Sequence, residues 1–418
     1  MRKYDLIVVG GGLTGVAAAV SAAREGLSVL LIEKSGALGG ALNTNLVYPF
    51  MRYWTYKEDK KIPQKILSAG IFGEMVEREH QRSGNTDRTH FKPEYFKLIL
   101  DEMVEEARVE VLFHTTLFAV CTEGRQVVAI RAAAASGALT LEADAFIDAT
   151  GNGDLMALAG CDFQLGRERD GLCQPMTTCF RMSGVDLEQF KQDIAMLQEK
   201  YKELQAAGEI QNPRENILYF FQLGEGIVHF NTTRIIKHDP TDPLAKSKAE
   251  MLARKQIFEM ERFLKEHSKA FENATICSVA TEIGIRESRK LKGEYILTVE
   301  DLKDLVDFED AIALGNYDVD IHSPDGSGTS HYYFRDGKYY KIPYRALLPK
   351  EFDNLLVAGR CISATHEAQA SIRIMPICAT LGQAAGTALA IARKTGTNAR
   401  TVDVKALRQK LLEQGASL

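Results

Sequence analysis

An apolar run, Leu6 to Val9, stops at three glycines spaced G-x-G-x-x-G: Gly10, Gly12 and Gly15. Nothing else in the chain restricts its fold so tightly, because a buried parallel strand, a turn without side chains and a helix must follow in immediate succession. Gly10 makes the tight turn, Gly12 lets the backbone approach a pyrophosphate, and Gly15 lets the helix lie close to the strand. Free N–H groups and the positive helix end then face the phosphates. A second strand, Ser28 to Ile32, ends in Glu33, a carboxylate placed to accept both hydroxyls of an adenosine ribose and to repel a 2′-phosphate. Strand, turn, helix, strand and terminal acid together spell a dinucleotide-binding βαβ unit.

The same residues invite a competing reading. Arg2 and Lys3 precede a charge-free stretch, Leu6 to Ala23, as they would in a signal peptide or membrane span. The glycine turn in its middle, Thr14 and Ser21 along the helix, and the acid-terminated strand after it fit the nucleotide unit better. No other stretch is expected to reach membrane length. At 418 residues the chain accommodates two or three domains. With 51 Lys and Arg against 56 Asp and Glu, it offers no broad basic field, and nucleic acid is not an expected partner. The seven cysteines, at 121, 161, 173, 179, 277, 361 and 378, form no C-x-x-C pair, which suits a reducing cytoplasm and argues against a redox-active dithiol.

After Lys34, the doublet Gly39-Gly40 within Ser35–Leu42 permits a second close backbone approach. Residues 46–62 hold the one tryptophan among aromatic and basic side chains, and read either as an excursion near a substrate or as a packed surface loop. Helical patterns run from about Pro63 to Gln81 and from about Pro93 to Ala107. Between Val109 and Ala145, the segments VEVLFHT, LFAVCTE, QVVAIRAA and ALTLEA suggest a small antiparallel layer feeding a strand Ala145–Ala149. Thr150-Gly151-Asn152-Gly153-Asp154 follows, with Asp154 as the expected N-cap of a helix.

Residues 166–345 lack the β-turn-helix period. Charged helices at 186–207 and 241–270, with β-like NILYFFQ and GIVHFNTT, suggest an inserted α+β substrate domain. Gly326-Ser327-Gly328 reads as a polar turn, so no second nucleotide unit is expected. The doubly wound pattern returns in NLLVAG, which ends at Gly359. Arg360, Cys361 and a connector follow, and Pro376 opens a helix to about Arg393 whose Gly382 and Gly386 predict close packing. The expected division is 1–165 and 346–418 for the nucleotide-binding domain, with 166–345 inserted.

Taken together, DLIVVGGGLTGVAAA, Glu33, Gly39-Gly40, IDATGNGDLMALAG, IGIRESRKLKGEYILT, NLLVAGRCISATHEAQASIRIMP and LGQAAG resemble the family of FAD-dependent oxidoreductases, and more distantly the fumarate reductase and succinate dehydrogenase flavoproteins. The resemblance covers both ends of the chain and the 280s. It implies an α/β architecture, a discontinuous Rossmann-like FAD/NAD(P)-binding fold of the glutathione-reductase type. It implies FAD as cofactor, hydride moving between a small organic substrate and flavin N5, and a diffusible electron acceptor or donor. Gly10, Gly12 and Gly15 would meet the pyrophosphate, Glu33 and Lys34 the adenosine side, and Gly39, Gly40, Ala41 and Leu42 the ribityl and flavin region. Gly151, Asp154, Gly359 and Arg360 would line the rest, and the turn from Ile374 and Met375 to Ile377 would aim a helix N-terminus at the flavin N1 and C2 carbonyl. The arginine donor and capping domain of the fumarate reductases have no counterpart here, so dicarboxylate chemistry is not supported. Two other readings stay open: an NAD-utilising protein of the thiazole-synthase kind, and a non-catalytic flavoprotein module, the latter opposed by the polar run ATHEAQASIR beside the flavin.

That run supplies the chemical candidates. His366 is the natural base near neutral pH, against a structural role as a hydrogen-bonded core histidine. Arg373 and Arg286 can hold a substrate carboxylate or an oxyanion. For Arg289 a salt-bridge network with Glu282, Glu287 or Glu294 is the better reading. Cys361 and Cys378 read as core thiols, and the scattered histidines predict no metal.

Overall fold

The computed structural model describes residues 3–56 and 63–418; Met1, Arg2 and residues 57–62, the end of the aromatic and basic stretch, lie outside them. A parallel layer runs in the order Glu110–Leu112, Val29–Ile32, Tyr4–Val9, Gly137–Asp148, Leu355–Val357. Its central strand, Tyr4–Val9, buries four consecutive apolar side chains, Leu6 to Val9, as a strand covered on both faces must. The βαβ unit thus forms where the glycine spacing put it, with the first helix at Leu13–Arg24.

Two expectations about the β segments change. VEVLFHT does not join the antiparallel layer: its Glu110–Leu112 pairs in parallel with Leu30–Ile32, because it returns to the sheet through the helix Pro93–Glu106. ALTLEA and the strand after it are one twelve-residue strand, Gly137–Asp148. Its first half pairs antiparallel with Gln126–Ala134, while its second half lies between Tyr4–Val9 and Leu355–Val357. One strand therefore carries both layers.

The helix expected from Pro63 begins at Ile71, since Gly70 sits in the left-handed region at φ +64° and residues 63–70 are irregular. Its first N–H is capped from far away, by Gln383 Oε1 at 3.0 Å. The connector before the long C-terminal helix contains a helix of its own, His366–Ile372, capped by Thr365. The long helix, Met375–Thr395, is apolar and long enough to cross a membrane, which the sequence reading did not anticipate beyond the N-terminus. It is instead almost wholly buried against the first helix. A Cβ on Gly382 would lie 2.0 Å from the Thr14 carbonyl oxygen, and one on Gly386 2.1 Å from that of Ala18, so the two backbones touch through missing side chains.

A second core lies in residues 180–279. Four antiparallel strands, in the order Thr275–Val279, Phe180–Ser183, Val228–Phe230, Tyr219–Phe220, pack beneath helices Leu187–Ala206 and Pro243–His267. Both helices start on aspartate caps, Asp186 and Asp242, the latter followed by Pro243 in the first turn. Apolar side chains from 297 to 348, among them Leu302, Phe308, Ile342 and Tyr344, join the core of the nucleotide-binding layer instead. Gly326-Ser327-Gly328 turns the hairpin between Val319–His322 and Thr329–Tyr332.

Candidate active site

The carboxyl ends of the parallel strands open on a cleft. Its floor is bare main chain. Gly10 has φ +103° and passes so close to the neighbouring strand that a Cβ would meet the Ala149 carbonyl oxygen at 2.5 Å. The loop carrying Gly39, Gly40 and Ala41 docks onto the same turn: Gly39 N donates to Gly11 O at 2.8 Å, and a Cβ on Gly40 would stand 2.9 Å from Gly12 Cα. Gly12 caps the first helix without any side-chain acceptor, so the helix start at Leu13 and Thr14 faces the cleft with its amides free for an anion.

Glu33 is buried at the cleft wall. Its Oε2 accepts from Gly11 N at 2.6 Å and its Oε1 from Ser35 N at 2.8 Å, leaving a lone pair on each oxygen for hydroxyl donors. Lys34 stands at the rim in an ion pair with Glu282 at 2.6 Å. Gly151 and Gly359 line the far wall with Arg360, whose Nη2 donates to Asn152 Oδ1 at 2.9 Å and whose Nε is buried without a partner. Burial lowers the Arg360 pKa.

Three expected cofactor residues fall elsewhere. Gly15 acts through packing, since a Cβ there would lie 1.8 Å from Gly10 O. Leu42 ends the short turn Gly40–Leu42 with its side chain fully buried in the core. Asp154 is not the N-cap, a position taken by Gly153 at φ +67°; its carboxylate turns to Arg289 Nη1 at 2.9 Å and its N–H to Thr150 Oγ1. Asn45, Asn152 and Thr14 line the cleft without having been assigned to it, and Cys378, read as a core thiol, is buried but also borders it. Asparagine in a loop and threonine in a first helical turn are too common for sequence to flag them.

A second cavity adjoins the cleft. The two share Ala41, Asn45, Ile285, Arg360, Arg373 and Met375 as a common boundary, at the start of the long C-terminal helix, whose N-cap Ile374 lines the second cavity. Val47, Pro49 and Met51 give it an apolar wall, so the described start of the aromatic stretch does reach this side, while Trp54 packs edge-on against Tyr53. Cys179 and Asn231, from the ends of the antiparallel strands, close it opposite.

Its charge is cationic. Arg286 Nη1 donates to Pro175 O at 2.5 Å and Thr177 Oγ1 at 2.6 Å, and the guanidinium meets no carboxylate among the described residues. Burial, then the neighbouring charges of Arg373 and Arg214, push its pKa down to about 9, which still leaves it protonated at neutral pH. Arg373 Nη2 donates to Asp320 Oδ2 at 3.1 Å, and its Nε is buried without a partner. Asp320 also accepts from Tyr317 at 2.9 Å and from His322 Nε2 at 3.2 Å. Burial opposes its charge, yet the His322 hydrogen bond and Arg373 hold its carboxyl well below the usual range. His322 itself is pushed down to about 3 by burial and by Arg286, and so stays neutral. The fold also gathers Asp318, Asp320 and His331 within 4.8 Å, a mixed cluster the sequence spacing did not show; His331 Nδ1 is bound to Asp318 at 2.5 Å, and Asp320 serves Arg373 and His322.

His366 is a correction. The sequence places it beside the flavin as a base, but it lines neither cavity. It is buried with Nδ1 2.8 Å from Glu287 Oε2, and Glu287 is in turn paired with Lys290 at 2.5 Å, both side chains shut from solvent. The helix it starts, His366–Ile372, turns it toward the 287–290 segment. Arg289 pairs with Asp154 rather than with the glutamates expected for it: Glu282 is held by Lys34, Glu287 by His366 and Lys290, and Glu294 by Arg400.

A main-chain cleft at the carboxyl ends of parallel strands, with a helix N-terminus for phosphates and an acid after the second strand, defines a dinucleotide-binding Rossmann-like protein. The FAD dependent oxidoreductase family matches residues 5–411, and the chain belongs to that family. FAD is its cofactor, and the residues fit one: the glycine floor admits a pyrophosphate, Glu33 retains acceptors for ribose, and the unpartnered Nε of Arg360 points to a missing acceptor. Among curated relatives, the digeranylgeranylglycerophospholipid reductase of Methanocella arvoryzae is 33% identical over 133 residues, 31% of this chain and 34% of that protein. The vinyl phenol reductase of Lactiplantibacillus plantarum is 55% identical over 41 residues, 10% of this chain and 8% of that one. The match thus spans about a third of the first relative's length. Among solved structures, a geranylgeranyl bacteriochlorophyll reductase-like protein of Thermoplasma acidophilum gives a TM-score of 0.48 at 13% identity, covering 100% of this chain and 84% of that one.

Proposed function

We propose that the chain oxidises or reduces a small organic anion, a carboxylate, bound in the second cavity against the flavin. The observation that carries this reading is Arg286. Its guanidinium is half-buried and makes no salt bridge among the described residues, so an anionic substrate would supply the missing partner. Bound FAD supplies the acceptor or donor of the electron pair, which is exchanged with a diffusible partner.

The protein's own residues bind and orient. Arg286 is fixed by two hydrogen bonds, from Nη1 to Pro175 O and Thr177 Oγ1, and its remaining N–H groups are free for a carboxylate. Arg373, tethered by Asp320, stands on the boundary with the cleft and approaches from the cofactor side. Val47, Pro49 and Met51 shape the space for the apolar part of the substrate. No imidazole or carboxylate lines the second cavity among the described residues, so His366 is a positioning residue in this reading, holding Glu287.

The test begins with the visible spectrum of the purified protein and release of its chromophore, then anaerobic bleaching with hydroxy and amino acids beside their amides. Bleaching by acids and not by the matching amides is expected. Equal bleaching by both sinks the carboxylate reading, and a colourless protein that binds NAD on titration sinks the redox reading.

A further inference from the structure

The helix Pro243–His267 presents an outer face that its own fold leaves uncovered. Its inner face is buried through Ala249, Ala253, Ile257, Met260, Phe263 and Leu264. Diametrically opposite, Leu244, Met251 and Phe258 recur every seven residues and are 72%, 54% and 61% exposed. Four residues after each of them stands an exposed cation: Lys248, Lys255 and Arg262. The result is a single ridge, apolar and cationic by turns, from 244 to 262 and roughly 27 Å long.

Three of the helix's four acids are engaged with partners other than the ridge cations, although Glu259 borders the ridge beside Phe258. Glu250 faces Arg254 at 3.6 Å and accepts from Ile283 N, Glu259 accepts from Gln211 N and Asn212 N, and Glu261 pairs with Lys265 at 3.4 Å. On the ridge, Lys248 and Lys255 have no ion pair among the described residues, and Arg262 has Glu266 at 4.0 Å. Three large apolar side chains along one exposed line form a patch rather than scattered single exposures.

We propose that this ridge docks the protein on an anionic phospholipid bilayer. Leu244, Met251 and Phe258 enter the headgroup region while Lys248, Lys255 and Arg262 meet lipid phosphates, the arrangement in which both halves of the pattern are satisfied at once. A second copy of the chain suits the ridge less well, because two ridges pressed together bring six cations into one seam. The chain carries −5 overall, so the attraction is local, felt within a Debye length of about 8 Å at physiological salt. The inference is independent of the substrate reading above.

Co-sedimentation of the purified flavoprotein tests it, with vesicles of phosphatidylcholine alone and of phosphatidylcholine mixed equally with phosphatidylglycerol. Binding to the anionic vesicles alone, released by high salt, is expected. Phe258→Ser and Lys255→Glu should each weaken it by about tenfold. Both side chains are exposed, so the flavin spectrum and melting curve of each variant should match the parent. Failure to bind, equal binding to neutral vesicles, or unchanged binding by the variants overturns the proposal. So does a dimer in sedimentation equilibrium that Phe258→Ser dissociates, which would assign the ridge to a second copy.

Discussion

The cleft presents main chain to its ligand where the adjoining cavity presents guanidinium groups. In the cleft, Gly10, Gly39 and Gly40 work by what they lack, since a Cβ on any of them would collide with its surroundings, and Gly12 leaves the helix start bare. In the cavity, Arg286 and Arg373 work by what they carry, and their placement depends on partners from Pro175 to Asp320. A site made of backbone is written in a local spacing, and tolerates little change at those positions. A site made of long side chains is assembled from distant segments, and its specificity can change without loss of the fold.

Gly10→Ala is the hardest blow to the first half of that comparison. The added methyl clashes with Ala149 O and the left-handed backbone adds strain of about 1–3 kcal/mol. The protein should emerge largely without flavin, read as the ratio of visible to ultraviolet absorbance. A fully loaded variant would show that the turn is not what holds the cofactor.

His366→Ala probes the frame between the two sites. Leaving Glu287 and Lys290 buried with one partner fewer should cost about 3 kcal/mol, measured by denaturant unfolding. Turnover per bound flavin should stay within about threefold. A fall of a hundredfold or more would restore His366 as the base and break the contrast drawn here.

Asp148 ends the strand Gly137–Asp148 behind the cleft. It accepts from Met156 N, Thr150 N and Thr150 Oγ1, yet burial outweighs these bonds and pushes its carboxyl up to about 6. The unfolded chain releases this proton near pH ~4. Because the folded chain holds it longer, the contribution is fully present in acid and is lost as pH rises through about 6, a fall of about 3 kcal/mol. Asp148→Asn should flatten that slope, and urea midpoints taken across the window check it.

Arg286→Met has the smallest effect on the fold and the sharpest on selectivity. Loss of a charge-assisted contact of about 2–3 kcal/mol should raise KM for a carboxylate substrate by roughly 30- to 100-fold with the flavin spectrum intact. Removing a half-buried cation that makes no salt bridge among the described residues should leave the substrate-free protein as stable as its parent or more so. Marked destabilisation would mean that Arg286 holds the fold and not a ligand.

Legibility follows the same divide. The βαβ unit, Glu33, the Gly39-Gly40 turn and the strand ending at Gly359 were readable because each is a contiguous pattern whose meaning is fixed by nearby backbone. Asp154 and Leu42 lie in readable segments, yet their side chains turn to Arg289 and to the core, because a segment's path does not reveal which way each side chain turns. His366 failed for a related reason: its helix, His366–Ile372, was read as a connector, and one turn of helix separates a cavity wall from a buried ion pair. Met51 and Val47 were signalled only as part of an aromatic and basic stretch, without the side chains that reach the cavity.

The sequence by itself determined the cofactor class and the nucleotide-binding half of the fold, because a pyrophosphate needs bare amides and bare amides need glycine at fixed intervals. Tertiary structure decided everything that depends on where long side chains end. It gave Arg286 a place without an ion pair among the described residues, tied Arg373 to Asp320, and withdrew His366 from the cavity wall. Electrostatic partners are set by distances between segments dozens of residues apart, and no local spacing encodes them.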